Sequence, residues 1–109
     1  MAVNLFPPEN LLPIDGVRLS AVSAGIRYQG RDDLVLMELA SGSACAAVFT
    51  KNAFCAAPVL IARKHLAETA PRYLLINSGN ANAGTGELGM QAALATCAEL
   101  AGLADCRSE

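Results

Sequence analysis

The 109-residue chain has no Trp, a single His and only 17% charged residues. Its 8 Lys and Arg are scattered against 10 Asp and Glu, so the chain lacks the basic stripe that nucleic-acid binding requires. Its apolar runs are shorter than the roughly 18 residues that a membrane-spanning helix needs. The start of the chain carries no basic region followed by an apolar core, the pattern of a secretory signal. We therefore expect a cytoplasmic protein that contacts neither nucleic acid nor membrane.

The spacing of the cysteines argues against a metal site. Cys45, Cys55, Cys97 and Cys106 lie 10, 42 and 9 residues apart, which matches no close-paired zinc motif. We interpret the four as small buried hydrophobic residues. The less favoured alternatives are a reactive thiol, which would need the fold to bring His65 beside it, and a cysteine that is paired or metal-bound. The sequence indicates no metal and no cofactor.

One small domain is the most that this length allows, yet 53% of the residues are hydrophobic. A body of about 100 residues has too much surface for its volume to bury all of that apolar material. We therefore interpret the chain as a piece of a larger protein. Pro7, Pro8 and Pro13 fix φ and remove backbone donors, which predicts an extended arm over residues 1–15 and an incomplete domain over residues 16–109.

The hydrophobic periodicity predicts several strands in a mixed α/β (α+β) chain. Weak alternation predicts a strand over residues 17–23, and a compact apolar run predicts a second over residues 34–39. Residues 43–50 are predicted to form a third strand, joined to the second by a hairpin around Gly42. The clearest strand pattern covers residues 73–76 and leads directly into a segment rich in Asn and Gly.

Two helices are predicted from the same reasoning. The first covers residues 59–68, since it follows Pro58 and ends before Pro71. The second covers residues 87–104, and apolar side chains on two of its faces indicate that it packs deeply. Residues 105–109 are expected to begin a connector.

A G-x-G-x-x-G pattern lies between the last strand and the long helix, where a dinucleotide-binding protein would have it. Its glycines are Gly84, Gly86 and Gly89. Glu87 stands where it would repel a pyrophosphate, and no further strand follows the helix to supply the acidic residue that binds the ribose. We therefore do not predict a nucleotide site.

The asparagines of the segment 77–86 allow two interpretations. In the architectural one, the glycines supply positive φ and the asparagines bond to their own backbone, which shapes a turn without chemistry. In the functional one, the amides of Asn80 and Asn82 gather at a helix N-terminus and bind a carboxylate or a developing oxyanion. Lys64 and His65 lie on a helix side that should face solvent, so we predict no catalytic role for either.

Several segments, in this order and spacing, resemble those of a known family. They are A-V-F-T-K-N at 47–52, C-A-A-P-V at 55–59 and N-S-G-N-A-N-A-G-T-G at 77–86. From residue 16 onward the chain resembles the N-terminal part of bacterial ornithine acetyltransferase, also called glutamate N-acetyltransferase. The resemblance implies the N-terminal portion of a four-layer α-β-β-α fold similar to that of N-terminal nucleophile hydrolases.

The same resemblance implies a function in arginine biosynthesis. Members of the family are precursors that cleave themselves before a threonine, whose hydroxyl takes acetyl from N-acetylornithine and passes it to glutamate. Some members also accept acetyl-CoA as the donor. The implied partners are the remainder of the same precursor, which bears the nucleophile, and a heterotetramer of the cleavage products.

No catalytic residue of that family falls within this chain. The family's oxyanion Thr-Gly pair, its lysine-bearing substrate segment and its nucleophilic threonine correspond to positions beyond residue 109, and Thr85-Gly86 belongs to the asparagine-rich segment. We therefore name only Asn80 and Asn82 as candidate substrate-binding residues, and we expect the 109-residue chain alone to be inactive. Two rival functions stay open: a self-cleaving amidase or aminopeptidase of the same architecture, and a non-enzymatic module that holds a small anion.

Overall fold

The structure is a computed structural model that describes residues 9–108, in which there are three strands and two helices. In chain order they are β1 (Val17–Val22), β2 (Leu34–Leu39), α1 (Ala57–Glu68), β3 (Tyr73–Asn77) and α2 (Gly86–Ala104). Apart from the strand predicted over residues 43–50, each predicted element is confirmed with bounds within two residues. Residues 1–8 lie outside the described part, so the arm over residues 1–15 stays a prediction.

The three strands form one antiparallel sheet in the order β1-β2-β3, which makes β2 the central strand. Across β1 and β2, Val17 pairs with Leu39 and Val22 pairs with Leu34; across β2 and β3, Leu34 pairs with Asn77. The end of β1, the start of β2 and the end of β3 therefore meet at one end of the sheet, which we call the loop end.

One face of this sheet is wholly apolar. Directly paired residues share a face and neighbours along a strand alternate between faces. This arrangement places eight apolar side chains together on what we call the apolar face: Val17, Leu19, Ala21, Val35, Met37, Leu39, Leu74 and Ile76. Leu19 is 67% exposed, and Leu74 and Ile76 are about half exposed. The opposite face is mixed and carries an ion pair between Arg18 and Glu38.

The two helices pack against each other, and the buried apolar residues of the described chain lie on them: Ala57 and Ile61 on α1, and Ala101 on α2. α1 begins two residues before the predicted start, since Pro58 occupies its first turn, where a missing N–H needs no partner. Only Ala101 of α2 is buried, and Leu103 is 88% exposed, so the predicted deep packing of α2 is wrong for the described residues. Within the same part of the chain, no helix has the length and apolar character needed to cross a membrane.

The predicted strand over residues 43–50 and its hairpin around Gly42 are wrong. Gly42 lies in a turn, but the residues that follow it have no regular structure. Both hydrogen-bonding edges of β2 are already occupied by β1 and β3, so a hairpin partner has no place beside it. Residues 43–47 are Ser, Ala, Cys, Ala and Ala, which also offer little side chain to pack on a sheet.

Candidate functional site

Two loops lie side by side at the loop end of the sheet. Residues 23–33 join β1 to β2, and residues 78–85 join β3 to α2. β1 and β3 are each antiparallel to β2, so they run in the same direction and their following loops emerge at the same place. The asparagine-rich segment therefore faces the loop between the first two strands.

Asp33 joins these two loops. Its side chain is only 5% exposed, and its two carboxylate oxygens accept the N–H groups of Ala24 and Ile26, each at 2.7 Å. Its own N–H donates to the carbonyl of Val22 at 3.1 Å, and its carbonyl accepts the N–H of Ser78 at 2.8 Å. One residue is thus bonded to the end of β1, to the turn that follows it and to the start of the asparagine-rich segment. Sequence reasoning missed this role.

The asparagine side chains bond to one another. Asn80 Nδ2 donates to Asn82 Oδ1 at 2.9 Å, and Asn82 Nδ2 donates to Asn77 Oδ1 at 3.1 Å. We call these three linked side chains the amide chain. Asn82 is half-buried, whereas Asn77 and Asn80 are exposed. Thr85 Oγ1 donates to the carbonyl of Asn82 at 3.3 Å, which connects the segment to the start of α2.

The amide chain differs from the architectural interpretation made from the sequence. That interpretation expected asparagines bonded to their own backbone, whereas the observed bonds join one side chain to the next. The functional interpretation expected amides near the N-terminus of α2, where the N-cap residue Thr85 makes no side-chain cap. Each bonded Nδ2 keeps a second hydrogen, so the chain presents neutral donors to an incoming group. Asn80 and Asn82 stay predicted substrate-binding residues.

The first and last glycines of the G-x-G-x-x-G pattern, Gly84 and Gly89, have explanations in backbone conformation and packing. Gly84 has a φ of +72°, and a Cβ built on it would lie 2.8 Å from Cζ of Phe54, so the ring of Phe54 packs on bare backbone. A Cβ built on Gly89 would clash with Oγ1 of Thr85 and would lie 2.5 Å from its Cβ. The positive φ favours glycine at Gly84 and the Cβ of Thr85 requires it at Gly89, so neither position needs a nucleotide to explain it.

Two arginines flank the ring of Tyr28 at the loop end. The guanidinium carbons of Arg27 and Arg31 lie 5.3 and 4.9 Å from the centre of that ring. Arg27 also borders the asparagine-rich segment, since a Cβ built on Gly79 would lie 3.1 Å from its Cβ. The Cβ of Arg27 thus lies beside the segment that carries the amide donors, and a guanidinium together with amides suits a carboxylate ligand.

The segment with the A-V-F-T-K-N motif lies against α1 and is held by its own side chains. Thr50 Oγ1 accepts the N–H of Asn52 at 3.1 Å, and Asn52 Oδ1 accepts the N–H of Phe54 at 2.9 Å. Arg63 on α1 donates to the carbonyl of Thr50 at 3.0 Å, and its guanidinium lies 5.4 Å from the ring centre of Phe49. An open cavity of about 370 Å³ lies here, lined by Phe49, Thr50, Lys51, Asn52, Cys55 and Arg63.

The interpretation of the four cysteines as buried hydrophobic residues is wrong in the described part of the chain. Cys45 and Cys106 are exposed, Cys55 and Cys97 are half-buried, and all four are free thiols. For Cys97 the reason is that α2, which carries it, contacts only α1 among the described helices and strands. Partial burial raises the pKa of the Cys97 thiol. Among residues 9–108, no group of three or more His, Cys, Asp or Glu side chains could hold a metal ion.

The remaining sequence candidates lie on α1, away from any assembled set of catalytic groups within the described residues. Lys64 is exposed and His65 is half-buried. The carbonyl of His65 accepts the N–H of Thr69 at 2.9 Å, which is an ordinary helix-ending bond. Neither residue gains a functional assignment from the structure.

Comparison with proteins of known sequence gives a clear relationship. The model of the ArgJ family matches residues 18–109. The chain is 57% identical over 102 residues to the arginine biosynthesis bifunctional protein ArgJ of Psychrobacter arcticus, and 59% identical over 99 residues to that of Methylococcus capsulatus. These alignments cover 93% and 91% of this chain but 25% and 24% of the relatives, so the chain spans about a quarter of their length.

Two solved structures are similar to this one. The arginine biosynthesis bifunctional protein of Bacillus halodurans has a TM-score of 0.80 and 28% identity, over 86% of this chain and 49% of that one. The ornithine acetyltransferase of Mycobacterium tuberculosis, solved in complex with ornithine, has a TM-score of 0.75 and 41% identity, over 84% of this chain and 48% of that one. These matches confirm the predicted mixed α/β class. With the family match over residues 18–109 and relatives that share more than half of their aligned residues, the chain belongs to the ArgJ family.

Proposed function

We propose that the complete protein is an acetyltransferase of arginine biosynthesis that moves acetyl from N-acetylornithine to glutamate. The observation that carries this proposal is membership of the ArgJ family, joined to 41% identity with an ornithine acetyltransferase that was solved with ornithine. The relatives are bifunctional proteins by name, which supports testing acetyl-CoA as a second donor.

The proposed reaction consists of two acyl transfers on a threonine that lies outside this chain. The threonine oxygen attacks the acetyl carbon of N-acetylornithine, the amide C–N bond breaks, and ornithine leaves with the proton on its amine. The amine of glutamate then attacks the acetyl ester, which releases N-acetylglutamate and restores the hydroxyl. Negative charge develops on the acetyl oxygen in both steps, so a positioned neutral donor accelerates both.

Within that protein we assign the loop end to the border of the substrate site. The amide chain of Asn77, Asn80 and Asn82 offers neutral donors that suit the acetyl oxyanion or the carboxylate of the amino-acid substrate. Arg27, beside Gly79, offers charged donors to the same carboxylate.

The proposed partner of this chain is the remainder of the same precursor. The apolar face is open, with Leu19 67% exposed, and relatives of the chain are about four times its length. We propose that a later part of the precursor packs a second sheet on the apolar face, and that the cleavage products assemble as a heterotetramer. The four free cysteines are typical of a reducing compartment, which supports a cytoplasmic location.

Acetyl transfer by the purified complete protein tests this function. With N-acetylornithine and glutamate we expect equal amounts of ornithine and N-acetylglutamate by mass spectrometry, and we expect neither product from the 109-residue chain alone. A parallel reaction with acetyl-CoA tests the second donor. Release of acetate without glutamate would instead favour the amidase alternative. Binding of glutamate by an inert complete protein would favour the anion-binding module.

The assignment of the loop end has its own test. Asn80→Ala and Asn82→Ala in the complete protein should each lower turnover on the order of 10² to 10³-fold if the amide is a donor to developing charge. A purely architectural amide would cost about 1 kcal/mol of stability and leave the kinetics of the folded enzyme unchanged. Asn10→Ala is the matched control, because it removes an exposed asparagine outside the loop end.

A further inference from the structure

Among the described residues, the least exposed side chain is a charged one. Asp33 is 5% exposed, less than the apolar core residues Ala57 and Ile61 at 7%. A carboxylate is removed from water only when its oxygens find other hydrogen-bond donors. Here the N–H groups of Ala24 and Ile26 supply them at 2.7 Å, a length typical of strong charge-assisted bonds.

These bonds hold the turn at residues 24–27 against the asparagine-rich segment. The carbonyl of Asp33 accepts the N–H of Ser78 at 2.8 Å, which fixes the residue that precedes Gly79. The turn itself meets Gly79, since a Cβ built there would lie 3.1 Å from Cβ of Arg27. Asp33 therefore contacts the segment directly through its main chain and indirectly through the turn that its side chain holds.

The far end of the segment is bonded to the start of α2. Thr85 Oγ1 donates to the carbonyl of Asn82 at 3.3 Å. Asn80 and Asn82 lie between Gly79 and this bond, and their side chains are bonded to each other and to Asn77. A displacement at Gly79 is therefore passed to the amides.

We propose that Asp33 is a positioning residue for the substrate site. Its carboxylate fixes the turn at residues 24–27, the turn supports Gly79, and Gly79 sets the position of the amides of Asn80 and Asn82 relative to the substrate. This inference rests on the proposed function of the loop end. Asp33 itself touches no substrate.

Asp33→Asn in the complete enzyme is the first measurement. The substitution exchanges one acceptor oxygen for an NH₂ group, which cannot accept the backbone N–H that faces it. We expect kcat/KM per folded enzyme to fall about 10- to 100-fold, because a displacement of about 1 Å in a positioned group has effects of that size. Asp32→Asn is the matched control, since Asp32 is adjacent and exposed. It should leave kcat/KM unchanged.

A double-mutant cycle with Asn82→Ala separates positioning from stability. If Asp33 acts through the amide chain, Asp33→Asn should cost little further activity once Asn82 has been truncated, because the group that it positions is gone. A residue that only stabilises the fold would lower the melting temperature and the yield, with kcat per folded enzyme unchanged. The proposal would be overturned if the losses in kcat/KM of the two single variants multiply in the double variant. It would also be overturned if the Asp33→Asn enzyme keeps the parent's kcat/KM.

Failure of the loop assignment gives a different result. If Asn80→Ala and Asn82→Ala keep the parent's acetyl transfer, the loop end has no role in the site, and the role of Asp33 is overturned with it. If those variants lose activity and Asp33→Asn does not, only the role of Asp33 is overturned. Should Asp33→Asn not fold, Asp33→Glu replaces it in the cycle, because it keeps both acceptor oxygens and displaces them by one methylene. The same non-additive loss is then expected, and independent losses again overturn the proposal.

Discussion

Gly89→Ala tests how the asparagine-rich segment joins α2. Replacing Gly with Ala inside a helix normally stabilises it by roughly 0.5 to 1 kcal/mol. Here the new Cβ would lie 2.5 Å from Cβ of Thr85, and no rotamer change moves a Cβ atom, so the backbone at the helix start must shift. We expect Gly89→Ala to destabilise the complete protein by about 1 to 3 kcal/mol, the usual range for overpacking.

Gly102 provides a matched control in the same helix, since nothing lies within 4 Å of a Cβ built there. Gly102→Ala should therefore stabilise the protein by the ordinary propensity difference. Thermal unfolding followed by circular dichroism compares both variants with the parent. Because the Tm shift per kcal/mol falls with protein size, we expect shifts below the roughly 2 to 4 °C per kcal/mol of proteins of 150 to 250 residues. The two shifts should have opposite signs, and adding Thr85→Gly to Gly89→Ala should restore most of the loss. If Gly89→Ala raises Tm as Gly102→Ala does, the steric reasoning is refuted.

Three further predictions follow from exposure and bonding. We expect the 109-residue chain to self-associate through its apolar face, and Leu74→Lys on that face should reduce the association measured by light scattering. Val48→Lys, in a loop where the side chain is fully exposed, should not reduce it, and equal effects would contradict a role for the apolar face. Arg63→Ala should lower the stability of the complete protein by about 1 kcal/mol, because it removes the donor to a loop carbonyl, and an unchanged melting temperature would count against it. Burial raises the pKa of the Cys97 thiol, so less of that thiol is in the reactive thiolate form at mildly alkaline pH. Alkylation of Cys97 should therefore be slower than alkylation of the exposed Cys106, and the difference in rate should close as the pH rises. Equal alkylation rates at mildly alkaline pH would disprove this.

Most helices and strands could be predicted from sequence because their causes are local. The apolar run of β2 and the proline in the first turn of α1 are visible within a few residues. The strand expected over residues 43–50 failed for a non-local reason. A strand needs a free edge, and the edge beside β2 is taken by β3, which follows much later in the chain.

The segment that forms the candidate site could be predicted from the sequence, but the arrangement of its side chains could not. Glycines and asparagines identify the loop, yet the bonds from Asn80 to Asn82 and on to Asn77 depend on side-chain conformations that no sequence pattern specifies. Asp33 carries no periodic signal. Its usable cue is a carboxylate directly before an apolar strand and after a turn that contains Gly25, since short acidic side chains commonly accept nearby backbone N–H groups.

The division of the sheet into an apolar and a mixed face also disfavours pairing of the strands in a wrong register. A slip of one residue in β1 would turn Arg18 toward the apolar face and separate it from Glu38. Such an error costs little while that face is open to water, but it becomes prohibitive once another layer covers the face and removes the hydration of the charge. If a further layer packs on the apolar face as proposed, it would therefore pack well only on a correctly aligned sheet.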